Sequence, residues 1–591
     1  MPVAPSRLVA LVGLTAFASA CSADARRFPL RDPLWRDADL VPFTVTYRPD
    51  CDAAGKPRCV PAPSTSSALW DAADSTAFRP VARFFAVDPA GVATNVNSVD
   101  EMPDSAWFTN RIGSLRATEA MTPERIVRGP CADRTIDPDA PDGAWVIDRG
   151  NLAGESPGFD VRVAGLGRFT LAVDTARQPE RATGAAAIAS RLYHAAGYFT
   201  PCASVVHVRP SIFKLTPGLT ITTEGGAPRA LDAAALAQIL ASAPSRSGLV
   251  RLVASRALPG QTLGPFRYEG TRSDDPNDVV AHEDRRDLRG ARVLAAWLDH
   301  GGASEQSTRD TWIAEYAYRA FSWPGVVHHY QVGLADCFGR EADSEAASRR
   351  LGHANSVDLA QGMRDFLTLG IPERSWDRAR RSADGDIFGY FSERDFEPQS
   401  YQGDHPNPAF TRMIEGDGAW AARAIARFTP DLVEAAVRAG DFTLARHTEA
   451  LVEQLLLRQK AVLRRYFSKL SSITDARTSG EDLCGKDLAR STETFVAPAF
   501  SYRARVYAGA ELAQRTSPVV RAGAGGEVCL TVPHVADDGG APDAAASRYV
   551  VVDILNGVAP GPLRVHLYDL GPRRGFRLVG IERPDDDSAP D

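Results

Sequence analysis

The sequence predicts an α+β protein: a small β-rich lobe, a larger helical lobe and a small all-β sandwich at the C-terminal end. Three observations carry this. Short β-like runs with Gly-rich connections, interrupted by one strong helical stretch, fill residues 145–215. Helical spacing then dominates as far as Leu470. Past Ser471 the pattern changes to short runs separated by Gly, Pro and Asp turns. The chain accordingly divides into a signal peptide (1–20), an extended arm (21–95), a two-lobed body (96–475) and the sandwich (485–585).

Arg7 supplies a charged start and Leu8–Ala18 an apolar run, and Ala18-Ser19-Ala20 lead into Cys21. This is the layout of a bacterial lipoprotein signal and predicts a lipidated Cys21. Ala18 stands where such signals usually carry Leu, and Ala-Ser-Ala also suits ordinary signal peptidase, which would leave a soluble secreted protein. A lipidated cysteine buries tens of methylenes at about 0.8 kcal/mol each, enough for stable anchoring. Ser22 rather than Asp follows the cysteine, which in a two-membrane bacterium points to the outer membrane, on its periplasmic or surface face. The arm is rich in Pro, Asp, Ala and Arg, but Trp35, Trp70, Phe78, Phe84 and Phe85 require that part of it docks.

Asn95–Arg111 is a dense run of turn formers closed by Trp107 and Phe108, either an ordered loop capped by its aromatics or a binding loop. Strands are predicted at Trp145–Asp148, Phe159–Val163 and Phe169–Val173, then a helix over Arg181–Ala196 stopped by Gly197, then strands at Ser204–Val208 and Ile212–Leu215. Helices follow at Leu231–Ala241, Arg285–His300 with Gly301 as terminator, Val357–Leu369, Met413–Phe428, Leu432–Ala439 and Thr448–Leu470. Strands at Asp310–Ala317 and Val326–Val332 interrupt them. The C-terminal strands are expected at Thr494–Ala508, Glu527–Val532, Tyr549–Ile554, Leu563–Leu567 and Phe576–Gly580.

A net charge of −7 with no basic tract argues against nucleic acid as a partner. Seven cysteines besides Cys21 leave at least one thiol unpaired within the chain. Cys51 and Cys59 bracket a turn-rich loop that a local bridge would close, and Cys484 and Cys529 flank the last segment, but spacing alone does not establish connectivity. The absence of C-x-x-C speaks against zinc ribbons and thioredoxin-like chemistry.

Several strings that look chemical have plainer readings. Gly154-Glu155-Ser156-Pro157-Gly158 matches the G-x-S-x-G hydrolase pattern, yet Pro157 has no N–H to give an oxyanion hole. His282-Glu283-Asp284 is read as an acidic turn opening the next helix, with a charged site wall as the alternative. Asp274–Asp278 is read as a turn around Pro276, with a cation loop as the alternative. His328 and His329 are neighbours on a predicted strand, so they point to opposite faces and cannot share one ion.

The strands from Trp145, the helix from Arg181, the central helix ending in His300 and the strand leading to Asp336-Cys337-Phe338-Gly339 together resemble the atypical kinase-like fold of HipA-like and phosphatidylinositol-kinase-like proteins. The whole chain is also similar to an uncharacterised family of myxobacterial-type envelope lipoproteins. That likeness rests on Asp104-Ser-Ala-Trp-Phe-Thr-Asn-Arg111, Tyr268-Glu-Gly-Thr-Arg272, Asp275-Pro-Asn-Asp278 and His282-Glu-Asp-Arg-Arg286. Phosphoryl transfer needs a lysine on the phosphates, a catalytic Asp and ligands for Mg²⁺. Where the resemblance would put the lysine stands Ala172, and no lysine lies between Lys56 and Lys214. Gly302 and Ser307 stand where Asp and Asn are needed, and Gly333-Leu334-Ala335 where the metal-binding Asp should be, with Asp336 adjacent.

The resemblance therefore implies an outer-membrane lipoprotein with a pseudokinase-like, non-catalytic body. That body would bind or scaffold an envelope protein partner, carry no cofactor or metal, and reach the membrane through its lipid anchor. The alternative is a phosphotransferase with a rearranged Mg-nucleotide site built from Asp299, Asp336, Glu283 or Asp284, and a hydrolase of unknown type is a third class.

Overall fold

In the computed structural model, β-branched runs joined by glycine turns build the first sheet: β1 (Trp145–Asn151), β2 (Gly158–Val163) and β3 (Gly167–Ala172) form a meander. The structure describes residues 27–35, 37, 39–44, 61–64, 73–74, 78–79, 90–112, 117, 119–131, 135–151, 158–222, 228–241, 243–314, 324–356, 358–368, 371–381, 386–394, 396–509, 511–535 and 547–590. Cys21, Cys51, Cys59, Trp70, Phe84, Phe85 and the run Gly154–Pro157 lie outside them.

The sheet continues from β3 to β5 (Leu249–Arg256) and ends on β4 (Ala203–Val208), all antiparallel, while short strands Phe213–Leu215 and Thr220–Thr222 run parallel to β1 at the other edge. Helix α1 (Arg181–Ala196) packs on this sheet and ends at Gly197, whose φ of 127° only glycine takes easily. Helix α2 (Ala233–Ala241) adds Leu236 and Ile239 to the sheet's core around Trp145, Ile147 and Leu252.

The helical part of the chain is built on α3 (Arg286–Leu298), α5 (Glu415–Ile425), α6 (Pro430–Arg438) and α7 (Ala445–Phe467), with α4 (Leu359–Leu367) on its surface. Their apolar stripes meet around Trp297, Ile425, Phe428, Leu451 and Leu455. A second sheet, in the order β6 (Gln261–Gly264), β7 (Thr308–Ala314), β8 (Gly325–Gln331), bridges through Tyr330 to Phe199 in the link between α1 and β4.

The last unit is two antiparallel sheets sharing one core. The first holds β9 (Ile473–Ser479), β10 (Asp482–Asp487) and β13 (Glu527–Thr531). The second runs β12 (Ala513–Thr516), β11 (Arg503–Ala508), β14 (Tyr549–Leu555), β15 (Leu563–Asp569), β16 (Phe576–Glu582). Inward residues from both, among them Leu483, Val506, Val528, Val552 and Val565, are at most 1% exposed. Cys484 and Cys529 face each other across β10 and β13 and form a disulfide, and Cys131 pairs with Cys202. Cys337 is buried with a free thiol.

The described parts of the arm lie against the rest of the chain. Phe28 accepts from the Tyr568 hydroxyl and donates its N–H to the Tyr549 hydroxyl (both 3.0 Å), so it joins the sandwich. Phe43 bridges to Gly325 and packs edge-on to Trp312. Trp35 and Phe78 remain 39% and 57% exposed.

Local differences from the sequence reading have physical causes. The predicted helix to His300 ends at Leu298 because Asp299 itself adopts the left-handed conformation (φ 53°, ψ 49°), so Gly301 is not its terminator. The predicted strand from Thr494 begins only at Arg503, since Pro498 sits in a 3₁₀ turn ahead of it. β5 went unread because Arg251 interrupts its apolar run. That arginine is 1% exposed and spends its guanidinium on Thr183, Gly440 and Asp441.

Candidate functional site

The carbonyls at the C-terminal end of α3 would be orphaned in a buried setting, and Arg458 of α7 answers them. Its Nε donates to Trp297 O (3.0 Å) and its Nη2 to Ala296 O (2.6 Å). The chain then reverses at Asp299 and runs through Gly301 and Gly302, where the absence of side chains lets two carboxylates approach. A Cβ on Gly302 would lie 2.2 Å from Asp336 Oδ2, and one on Gly301 would lie 3.2 Å from Asp404 Oδ1. Asp299, Asp336 and Asp404 thus gather around one glycine loop.

Each acid has a guanidinium for company. Arg340 ion-pairs with Asp404. Arg181, the first residue of α1, lies beside Asp336 and donates to Ala335 O (2.7 Å) and Cys337 O (3.0 Å). Burial pushes the Asp299 carboxyl up, Arg458 and His353 opposing it. Burial, with Asp404 adding, raises Asp336 from 3.8 to about 6 despite the attraction of Arg181. Burial also pulls Arg458 down to about 10, against the pull of Asp299.

Gln178 closes the same seam. Its amide donates to Gly339 O and Ile387 O (both 2.9 Å) and accepts from the Glu341 N–H (2.8 Å). The void left beside Asp299, Gly339, Arg340, Tyr401 and Arg458 is about 40 Å³. Ligand sites are usually about 300–1,000 Å³. Among the described residues no three His, Cys, Asp or Glu side chains are placed to hold one metal ion. Lys214 stands exposed on the strand Phe213–Leu215, which pairs with β1 at the opposite side of the sheet from β4 and β5.

Asp299 and Asp336 are therefore brought together, and Glu283 and Asp284 are not. The latter two occupy a 3₁₀ turn at the far end of α3, about 20 Å away along a 13-residue helix. Glu283 accepts the Gly270 N–H (2.7 Å), and Asp284 pairs with Arg412 (2.9 Å) and Arg289, so both hold the turn in place. In the Asp274–Asp278 loop, Asp275 accepts from Asn277 N–H (2.9 Å) and Asp278 shares a hydrogen bond with His282 (2.7 Å), the behaviour of a turn.

The segments that carried the envelope-family likeness converge on one buried network. Trp107 stacks on His329 (3.5 Å between centroids, 9° between planes) beneath Arg285 (4.8 Å). His329 is bonded to Asp310 (2.6 Å), and Arg272 completes the set at 2.9 Å from Asp310. Arg285 pairs with Asp37 of the arm, and Asp39 accepts the Ala106 N–H (3.0 Å). Burial first, and then Asp37, pushes Asp39 up to about 8. Trp107, His282, Arg285 and His329 are each at most 3% exposed, so this network ties arm, loop and body together and offers no ligand a way in. His328, on the opposite face of β8, packs edge-on to Phe199.

The sequence reading missed Arg181, Arg340, Asp404 and Arg458. The one local signal for them was the Gly301-Gly302 pair, which marks a close approach without naming the partner. A wider cleft of about 800 Å³ opens beside the seam, lined by Arg340, Arg349, Arg350, Arg374 and Trp376. No protein-family model, curated protein or solved structure matches this chain.

Proposed function

We propose that this protein is a cell-envelope lipoprotein whose kinase-like body has given up phosphoryl transfer and acts as a binding or scaffolding unit. One observation carries the reading: a nucleotide site needs divalent cations and room, whereas Asp299, Asp336 and Asp404 each lie near an arginine (Arg458, Arg181 and Arg340) and only about 40 Å³ remains beside Asp299, Arg340 and Arg458. Arg340 pairs with Asp404, and burial holds the Asp299 and Asp336 carboxyls above their ordinary range, which disfavours two charged ligands for a metal.

The order of elements supports a kinase-like ancestry. Three strands, then α1, then further short strands with α2 and β5 among them, precede α3, its glycine loop, the β7–β8 hairpin and Asp336-Cys337-Phe338-Gly339. The Cys131–Cys202 and Cys484–Cys529 disulfides support an oxidising envelope compartment. No helix among the described residues is long and apolar enough to cross a membrane, and in this reading a lipidated Cys21 is the anchor. The 800 Å³ cleft is the surface this body presents, without cofactor, to an envelope partner. On α4, Met363, Phe366 and Leu367 share one face at i, i+3, i+4 spacing and are 58%, 77% and 72% exposed, as expected of a chain with a protein partner.

A second reading has its own observation. Asp336 is only partly buried, and no described side chain donates a hydrogen bond to it, as would suit a metal-ligating carboxylate in a rearranged Mg-nucleotide site. Thermal melting of the full mature chain with and without Mg-ATP separates the two. A ligand at a hundred times its dissociation constant would stabilise by about 2.7 kcal/mol. The scaffold reading expects no shift. A Mg-dependent shift that disappears in Asp336→Ala establishes the rival.

A further inference from the structure

The seam between the helical part and the sandwich encloses a cavity of about 160 Å³, lined among others by Asp100, Asn110, Trp420, Arg423, Arg427 and Arg583. Its lining carries four arginines, Arg111, Arg423, Arg427 and Arg583, against three acids, Asp100, Glu101 and Asp475. Asp100, held at φ 59° at the end of an Asn97 turn, receives three guanidiniums: Arg286, Arg423 (2.8 Å) and Arg583 (3.2 Å). Arg286 and Arg289 in turn share Asp417 (both 3.3–3.4 Å). Asp475 is taken by Arg427 at 2.8 Å, and Glu101 also lines the cavity. Arg423 has a side chain only 7% exposed, and its Nη1 finds no acceptor among the described residues.

A buried guanidinium with an empty donor costs free energy unless something accepts from it. Burial first, then the neighbouring Arg583, Arg286 and Arg427, pull Arg423 down to about 9 in spite of Asp100. Arg286, Arg423 and Arg583 hold Asp100 far below the carboxylate range although burial alone would raise it. What the cavity lacks is negative charge on an acceptor with several oxygens. Its volume of about 160 Å³ leaves room for one tetrahedral oxyanion.

We propose that this cavity binds a phosphate-type oxyanion, either free phosphate or the head of a small phosphomonoester, gripped by Arg423 with Arg427 and Arg583. Arginine forks match such oxygens in pairs. Arg423 and Arg427 belong to the helical part, and Arg583 reaches back from the end of the sandwich to Ser471 O (3.2 Å) and Ile473 O (2.7 Å). The bound anion therefore fastens the two units to each other. This site is separate from the Asp299–Asp336 seam and does not rest on how that seam is read.

The test is thermal unfolding of the full mature chain in chloride buffer, titrated with sodium phosphate against sodium chloride of matched ionic strength, and in a parallel series with glycerol 3-phosphate. Phosphate is expected to raise Tm saturably by about 2–4 °C at ten to a hundred times its dissociation constant, and Arg423→Met to lose that response. A response to glycerol 3-phosphate at lower concentration than to phosphate assigns the site to the monoester, and the reverse order to the free ion. Superimposed phosphate and chloride curves overturn the proposal, as does an Arg423→Met chain that still responds. If Arg423→Met does not fold, ³¹P line broadening on the wild-type chain decides: saturable broadening is expected, and its absence refutes the site.

Discussion

Replacing Asp336 by asparagine removes a carboxyl whose folded-state environment works against its charge. Burial and Asp404 raise it from 3.8 to about 6, with Arg181 opposing. A group raised on folding adds stability that is fully present below its unfolded value near 4 and lost as pH rises through about 6. The difference of about 2 units corresponds to about 3 kcal/mol as an upper bound, and the partly open side chain brings the expected value to roughly 1–2 kcal/mol. The substituted amide keeps the shape and never ionises. Differential scanning calorimetry of Asp336→Asn against wild type should therefore find the variant more stable by about that amount at pH 7.5 and indistinguishable near pH 4. A pH-independent difference, or a variant less stable at pH 7.5, would show that the carboxylate is stabilised where it sits and that the seam has been misread.

Other substitutions probe the surroundings. Trp107→Ala removes the ring between Arg285 and His329 and should lower the urea-unfolding free energy by about 3–5 kcal/mol, a loss under 1 kcal/mol being incompatible with the network described. Gly302→Ala places a Cβ 2.2 Å from Asp336 Oδ2 and should destabilise by about 1–3 kcal/mol. In the Gly302→Ala/Asp336→Ala double variant most of that cost should vanish, and strict additivity would mean the two positions do not touch.

Much of the architecture was legible because it is written locally. The helix Arg181–Ala196 announces itself by spacing and by Gly197, and the switch at Ser471 precedes β9 at Ile473. What escaped is written across the chain. Arg251 breaks the pattern of β5 because its partners are Gly440 and Asp441, roughly 190 residues on. Likewise Asp299 and Asp336 could be singled out, whereas Arg181, Arg340, Asp404 and Arg458 acquire meaning only when helices distant in sequence meet at one loop. Glu283 and Asp284 looked like site acids for the opposite reason: their partners, Gly270 and Arg412, cannot be assigned from spacing.

The central claim is that arginines stand where a nucleotide's metal would have to sit. Mn²⁺ substitutes for Mg²⁺ and loses its sharp solution EPR signal when a protein–nucleotide complex captures it, so titrating the full mature chain with Mn²⁺ in the presence of ATP reads that site directly. The signal should match that of Mn-ATP alone at every protein concentration. A protein-dependent loss of signal that Asp336→Ala restores would contradict the account.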